Sequence, residues 1–171
     1  MLSISDNDSE IIEFLLKNYS KRYTIREIAL KLNISPAGAH KSLKKLEEGK
    51  IVKSEKLGTG LFYEIDFDNR AARHLTAFIL AQDKSVYDIE SIKENVKALI
   101  VNKKVLLVSD VHDIETLRNT AAKIFTGKNI VIMSEEEFME NIRKTEKELV
   151  EILKGIIVYG EELIVEAVSE Y

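Results

Sequence analysis

Several residue types and segments are scarce or missing in this sequence. It contains no cysteine and no tryptophan, and Pro36 is its only proline. Without cysteine there are no disulfides and no thiolate metal sites, which is typical of the reducing cytoplasm. No apolar run approaches the roughly 18 residues that cross a membrane, and the first ten residues lack the basic start and apolar core of an export signal. We therefore expect a folded, cytoplasmic protein.

Charge is distributed unevenly along the chain. The whole sequence carries a net charge of −4, yet residues 21–56 hold ten Lys or Arg against four Asp or Glu. Residues 85–171 hold eleven basic against seventeen acidic residues. A positive segment in a negative protein is the pattern expected for contacts with nucleic acid phosphates.

Two helices separated by a tight turn are predicted within this basic segment. Thr24 and Glu27 have the spacing of a capping box, and an apolar stripe follows at helical spacing: Ile25, Ile28, Ala29 and Leu32. After Asn33, Ser35 is placed to cap a second helix with Pro36 at its first position. Ala39, Leu43 and Leu46 then form its inward face, and Gly49 is predicted to end it as the left-handed residue.

A hairpin is predicted directly after the second helix. Residues 51–57 and 61–67 alternate between apolar and polar positions around Gly58-Thr59-Gly60. A helix-turn-helix followed by a β-wing places its second helix in the DNA major groove and its hairpin on the backbone.

The segment ISPAGAHKSLKKLEEGKIVKSEKLGTGLFYEIDFDN resembles the winged helix-turn-helix domains of prokaryotic, especially archaeal, transcriptional regulators, over roughly residues 8–82. The resemblance implies sequence-specific DNA binding, usually by a homodimer. Its recognition helix would be residues 35–48, and its wing tip residues 56–60. The candidate DNA-binding residues are Thr24, Ser35, Ala37, His40, Lys41, Lys44, Lys45, Lys53, Lys56 and Thr59.

The recognition helix lacks arginine and asparagine, which are among the commonest bidentate readers of bases. Lysines and the backbone N–H groups near Ser35 are suited to phosphates instead. We therefore expect weak sequence specificity or recognition of DNA shape.

A further helix is predicted over residues 68–84. Leu75, Phe78 and Ile79 lie on its apolar face and are the candidate dimerisation residues. Packing of this helix on the next domain explains the pattern equally well.

Residues 85–171 alternate short apolar strands with helices, which predicts a small α/β layer. Strands are expected over 96–101, 104–109, 129–133 and 156–159, with helices over 113–125, after Ser134, near 146–154 and over 161–168. The runs KVLLVSD, NIVIMSEEEFMENI and KGIIVYGEELI resemble a nucleotidyltransferase-like domain. Active members carry a Gly-Ser loop and two aspartates where this chain has Asn102, Lys103 and Lys104, so the resemblance implies a degenerate, non-catalytic domain.

One polar cluster in this half has two interpretations: Ser109, Asp110, His112, Asp113 and Glu115. It lies after a predicted strand, where functional sites gather, and histidine with carboxylates can bind metal. Helix capping by Asp110 or Asp113 explains the same residues without a metal site, and we favour this interpretation. We predict no catalytic residues, no metal site and no cofactor.

The predicted fold class is α+β: a winged helix-turn-helix domain over 1–67, a linker or dimerisation helix over 68–84 and a small α/β domain over 85–171. The predicted function is a non-enzymatic transcriptional regulator that binds double-stranded DNA as a homodimer and does not enter a membrane. The alternative is a nucleotidyltransferase-like protein that retains nucleotide binding or partners an active transferase.

Overall fold

The computed structural model describes residues 3–82 and 87–171 and divides the chain into two compact units, Met1–Ile79 and Leu80–Tyr171. The last residues of the predicted linker helix, Asp83 and Lys84, lie outside the described residues, as do Ser85 and Val86 at the start of the predicted third segment. In the described ranges, no helix has the length and apolar character to span a bilayer. Each unit is considered separately below.

The first unit is a helical layer with a three-stranded antiparallel sheet of order β1-β3-β2. Its elements are α1 (Asp6–Lys17), β1 (Tyr23–Thr24), α2 (Ile25–Leu32), α3 (Pro36–Glu48), β2 (Val52–Leu57), β3 (Gly60–Ile65) and α4 (Arg70–Ala81). The final residues of α4 fall in the second unit.

Helix α1 was not predicted from the sequence, although its signals are present there. Ser5 and Asp8 form a complete capping box at its start. Its buried face consists of Asp8, Ile11, Ile12, Leu15 and Leu16, and it contacts α2, α3 and β3. These residues provide much of the core beneath the two predicted helices.

The predicted helix pair is confirmed in its caps and turn. The Thr24 hydroxyl accepts from the Glu27 N–H, and the Thr24 N–H donates to the Glu27 carboxylate, which closes the capping box. Asn33 adopts a left-handed φ of 55° and turns the chain toward α3. The Ser35 hydroxyl then accepts the Gly38 N–H at 3.0 Å.

The end of α3 differs from the prediction by one residue. Gly49 has an ordinary φ of −79°, and the left-handed residue is Lys50 with φ 55°. The Lys50 N–H donates to the Glu47 carbonyl at 2.9 Å and the Ile51 N–H to the Leu46 carbonyl at 2.8 Å, which is a Schellman motif with Lys50 at C′. Ile51 and Leu46 are both buried, and their burial fixes which residue takes the left-handed position.

The wing has a tighter turn than predicted. Leu57 pairs with Gly60, so Gly60 belongs to β3 and only Gly58 and Thr59 form the tip. Gly58 has a φ of 60°, a conformation that glycine adopts without steric cost. Strand β1, which was not predicted, pairs with β3 on the side opposite β2.

The second unit contains a four-stranded sheet of order β6-β5-β4-β7. Its elements are α5 (Glu90–Lys93), β4 (Ala98–Val101), β5 (Lys104–Val108), α6 (Ile114–Ile124), β6 (Asn129–Met133), α7 (Glu135–Arg143), α8 (Lys147–Leu153), β7 (Ile156–Tyr159) and α9 (Glu161–Ser169). Strand β5 is parallel to β6 and antiparallel to β4, and β4 is antiparallel to β7. The predicted strands and longer helices are present, whereas α5 was not predicted.

Helices cover both faces of this sheet. Leu99, Val105 and Leu107 belong to one cluster with Leu117 of α6 and with Phe125, which follows α6, and α5 joins that layer. The alternate positions of the same strands, such as Ile100 and Leu106, are also fully buried and face the layer of α7, α8 and α9. The chain therefore passes to one face after β5 and to the other face after β6.

Candidate nucleic-acid interface

Helix α3 has one buried and one exposed face, as the sequence predicts. Ala39, Leu43 and Leu46 are fully buried, and Ser42 is buried beside them. The outward face carries exposed residues with room for a partner: Ala37, His40, Lys41 and Lys44. This face combines cations, an imidazole and a small residue that permits close approach.

Lys41 and Lys44 are the exposed cations of α3. Lys44 lies 3.9 Å from Glu48, and both of these side chains are more than two thirds exposed. An exposed pair at this separation contributes little to stability, so Lys44 can exchange Glu48 for a phosphate at small cost. Within the described residues, no ion pair is recorded for Lys41. Both ammonium groups are therefore accessible to an anionic surface.

Lys45 is oriented differently from the other two lysines. Its Nζ binds the Asp8 carboxylate of α1 and donates to the Ser3 carbonyl at 3.0 Å. Asp8 is fully buried, and although burial raises its pKa, hydrogen bonds from Lys45, Ser5 and Ser42 outweigh that effect and hold the pKa below its ordinary value. Lys45 thus joins α1 to α3. Its predicted contact with DNA stays a prediction, and it would require this pair to open.

The hydroxyl groups of Thr24 and Ser35 both serve as helix caps. Thr24 is half-buried, whereas Ser35 is exposed at the start of α3. Their predicted contacts with DNA stay predictions. The backbone N–H groups near Ser35 begin α3, at a helix end where an anion is favoured.

The wing offers a second set of exposed groups. Thr59 is exposed at its tip, and Lys56 is exposed near the end of β2. Lys53 instead lies 3.5 Å from Glu64 and 3.4 Å from Asp68; burial lowers its pKa, but these carboxylates outweigh burial and raise it. Of the two candidate lysines on the wing, Lys56 has the more accessible ammonium group.

The three candidate dimerisation residues on α4 differ in exposure. Phe78 is 64% exposed, Leu75 is half-buried and Ile79 is only 1% exposed. Ile79 is therefore buried within the chain, and its predicted role in dimerisation stays a prediction. Helix α4 begins where the Asn69 side chain accepts the Ala71 N–H at 2.9 Å.

The second unit has Asn102, Lys103 and Lys104 at the positions where a nucleotidyltransferase-like domain would carry its paired aspartates. The Asn102 side chain donates to the Glu151 carbonyl at 2.7 Å, and Lys104 lies 2.6 Å from Glu148. Lysine cannot replace a carboxylate as a ligand of the divalent ions used in phosphoryl transfer. Across residues 3–82 and 87–171, no three His, Asp or Glu side chains are grouped to hold a metal ion.

The polar cluster after β5 is largely explained by local structure. Asp113 caps α6 by accepting the Thr116 N–H at 3.0 Å, and this bond lowers its pKa. Asp110 accepts the Glu135 N–H at 3.1 Å and pairs with Lys97 at 2.5 Å. The capping interpretation is therefore confirmed for Asp113, whereas Asp110 connects the β5 loop to the start of α7.

One protein-family model matches part of the first unit. Residues 4–53 match the family model described as winged helix-turn-helix DNA-binding. The match begins just before α1 and runs through α3 into β2, and the first unit has the element order of a winged helix-turn-helix fold.

Comparison with solved structures gives low similarity to two proteins, over less than half of this chain. A mutant of ZitR from Lactococcus lactis is 26% identical with a TM-score of 0.37, over 44% of this chain and 49% of that chain. The adhesin competence repressor AdcR from Streptococcus pyogenes is 20% identical with a TM-score of 0.38, over 45% and 54% respectively. The chain thus spans about half the length of these proteins. No curated protein matches it.

Proposed function

We propose that this protein is a transcriptional regulator that binds double-stranded DNA, with α3 in the major groove and the β2–β3 wing on the backbone. The observation that carries the proposal is the two-faced character of α3. Its inner face is fixed in the core, and its outer face presents Lys41 and Lys44 without a strong partner. The family match over residues 4–53 supports the same use of this helix.

Each group in the interface has a distinct role in this proposal. Lys41 and Lys44 contact phosphates flanking the groove, and Lys56 and Thr59 contact a phosphate beside the wing. His40 reaches a base edge, while Ala37 allows the start of α3 to approach the groove floor. Phosphate contacts set the position of the helix, and the shape of the DNA supplies most of the selectivity.

We further propose that the protein acts as a homodimer through α4. Phe78 is a large apolar side chain that stays mostly exposed on this helix, with the half-buried Leu75 on the same face. A two-fold pair would present two copies of α3 to half-sites about one helical turn apart.

The proposal is tested by selecting DNA from a random pool and then measuring affinity for the selected site as a function of salt. Each phosphate contact contributes about 0.9 to the slope of log affinity against log salt concentration. The double variant K41A/K44A should therefore flatten the slope by about 1.8 per protomer.

A matched control removes two positive charges elsewhere. Lys103 and Lys123 are exposed lysines of the second unit, and K103A/K123A should keep nearly the whole slope. Failure to enrich any DNA site, or an equal change of slope in the two double variants, would contradict the proposed use of α3.

The nucleotidyltransferase-like alternative predicts that ATP with Mg²⁺ raises the melting temperature. Because Asn102 and Lys104 make contacts within the unit and supply no carboxylate, we expect no such rise. A saturable rise would favour the alternative.

A further inference from the structure

A crevice of about 370 Å³ opens in the second unit at the carboxyl ends of β5 and β6. Its apolar lining comes from the end of β6, the loop after β5 and the start of α6: Ile132, Met133, Val111 and Ile114. Ile114 is 47% exposed although it begins a helix whose other apolar residues are largely covered. The volume lies in the range of pockets that hold small organic molecules.

The topology of the sheet explains why a crevice forms here. Strands β5 and β6 are parallel neighbours, with Val108 opposite Met133 at their carboxyl ends. The chain leaves β5 for α6 on one face and leaves β6 for α7 on the other, so the two connections diverge. In open α/β sheets such a divergence creates the crevice in which ligands bind.

The polar groups of the lining decide what kind of ligand fits. The Ser109 hydroxyl donates to the Asn95 carbonyl at 2.5 Å, and the Ser134 hydroxyl accepts the Glu137 N–H at 3.1 Å. Asp110 pairs with Lys97 at 2.5 Å, and Lys97 also lies 2.5 Å from Glu135. These three lining groups are therefore occupied by contacts within the protein.

Glu137 is the exception among the polar lining groups. Its side chain is exposed at the crevice, and the structure records no ion pair or hydrogen bond for its carboxylate within the described residues. The exposed Glu136 lies beside it in the first turn of α7, where the helix dipole favours negative charge. An arriving ligand thus meets one unpaired carboxylate above an apolar floor.

We propose that this crevice binds a small organic amine, with its apolar body on Ile114 and Ile132 and its ammonium group on Glu137. A carboxylate ligand would be repelled by Glu137, and a neutral ligand of the same shape would lack the ion pair. Lys97 does not neutralise Glu137, because its ammonium group is already paired with the carboxylates of Asp110 and Glu135, each at 2.5 Å. The proposal is independent of DNA binding.

Three probes of matched shape test the proposal on the full chain: 2-phenylethylamine, 2-phenylethanol and 3-phenylpropionate. Amide NMR shifts report where each probe binds. We expect saturable shifts from the amine at residues 109–114 and 132–137, weaker binding of the alcohol and none of the carboxylate. Equal binding of amine and alcohol, or shifts confined to other residues, would overturn the proposal. The absence of saturable shifts with all three probes would also overturn it.

Variants of α7 separate a specific ion pair from general charge. E137Q should weaken amine binding about tenfold, the usual worth of a charge-assisted contact. E137K should abolish amine binding and admit 3-phenylpropionate. E162Q removes an exposed carboxylate from α9, outside the crevice, and should bind the amine like the unaltered protein. Equal losses in E137Q and E162Q would reduce the effect to surface charge and refute the site.

Discussion

Asp8 is a buried charge that joins α1 to α3 through Lys45, and its removal gives a sharp prediction. Its Oδ2 accepts the Ser5 N–H at 2.7 Å and also binds the ammonium group of Lys45. The D8A substitution removes the capping bond of α1 and the ion pair to α3 together. We expect α1 to open more often and to loosen its contact with α3.

The magnitude follows from the separate contacts. Loss of the capping-box bond from the Ser5 N–H costs about 1 kcal/mol, and loss of the charge-assisted bond to Lys45 costs about 1.5–3 kcal/mol. Two features lower the sum. The Lys45 side chain is 32% exposed and can turn to water, and Asp8 Oδ1 is buried without a hydrogen bond, so its removal relieves a cost. We therefore expect a loss of about 2 kcal/mol, equivalent to about 30-fold faster opening.

Hydrogen exchange followed by mass spectrometry measures this opening in peptides from α1 and α3, and it reports on the first unit alone. The matched control is D6A, because Asp6 is an exposed aspartate in the same helical turn. D6A loses only its interaction with the helix dipole, about 0.3–1 kcal/mol. If D8A and D6A speed exchange equally, the Asp8–Lys45 pair does not stabilise the unit.

The same pair predicts the direction of a pH effect. The pKa of Asp8 is lower in the folded protein than its ordinary value of about 3.9. Its stabilisation is therefore fully present above that value and is lost as pH falls through the folded pKa, where the folded carboxylate takes up a proton. The difference in stability between the unaltered protein and D8N should be constant near neutral pH and shrink below about pH 4. A difference that grows on acidification would refute this sign.

Two further predictions concern the second unit and the oligomeric state. G127A, at a glycine with positive φ, should destabilise the second unit by about 1 kcal/mol through left-handed strain. G160A should destabilise it by well over that amount, because a Cβ at Gly160 would lie 2.1 Å from the Lys97 carbonyl, whereas one at Gly127 meets nothing within 4 Å. Equal effects of the two variants on urea unfolding would refute the steric argument. F78S should weaken dimerisation at least about tenfold in sedimentation, as expected for an exposed aromatic anchor. The control L30S, at a leucine that is 80% exposed, should leave dimerisation unchanged. An unaltered protein that is monomeric at micromolar concentration would contradict the proposed dimer.

Local rules were sufficient where the chain supplies its own hydrogen bonds. Ser35 and Thr24 were correctly predicted as caps, because each hydroxyl bonds an N–H three residues later. The prediction that Gly49 is the left-handed residue at the end of α3 was wrong. Lys50 takes that conformation, because it allows the next residue, Ile51, to be buried. The local hydrophobic pair of the Schellman motif, Leu46 with Ile51, marks that position better than the glycine does.

The sheet of the second unit shows a limit of such local rules at longer range. Its strands were predicted from apolar runs such as Ile156–Tyr159, which lies at the sheet edge beside β4. The order β6-β5-β4-β7 was not predicted, because strand pairing depends on segments far apart in sequence. The crevice beside Glu137 therefore could not be predicted, even though Ser109 and Asp110 were singled out from the sequence.

Lys45 shows how helical spacing in the sequence and tertiary contacts together determine which lysines of the candidate interface are accessible. By charge count, Lys41, Lys44 and Lys45 are equivalent, and helical spacing placed all three outward. Only α1, which brings the buried Asp8 carboxylate against α3, distinguishes them. Breaking a buried pair leaves a charge without compensation, so under the proposed function a phosphate must bind Lys45 at least as well as Asp8 does before Lys45 contacts DNA. Lys41 and Lys44 face no such cost. Fewer lysines of α3 are therefore accessible to a phosphate than the sequence contains, because Asp8 of α1 binds Lys45.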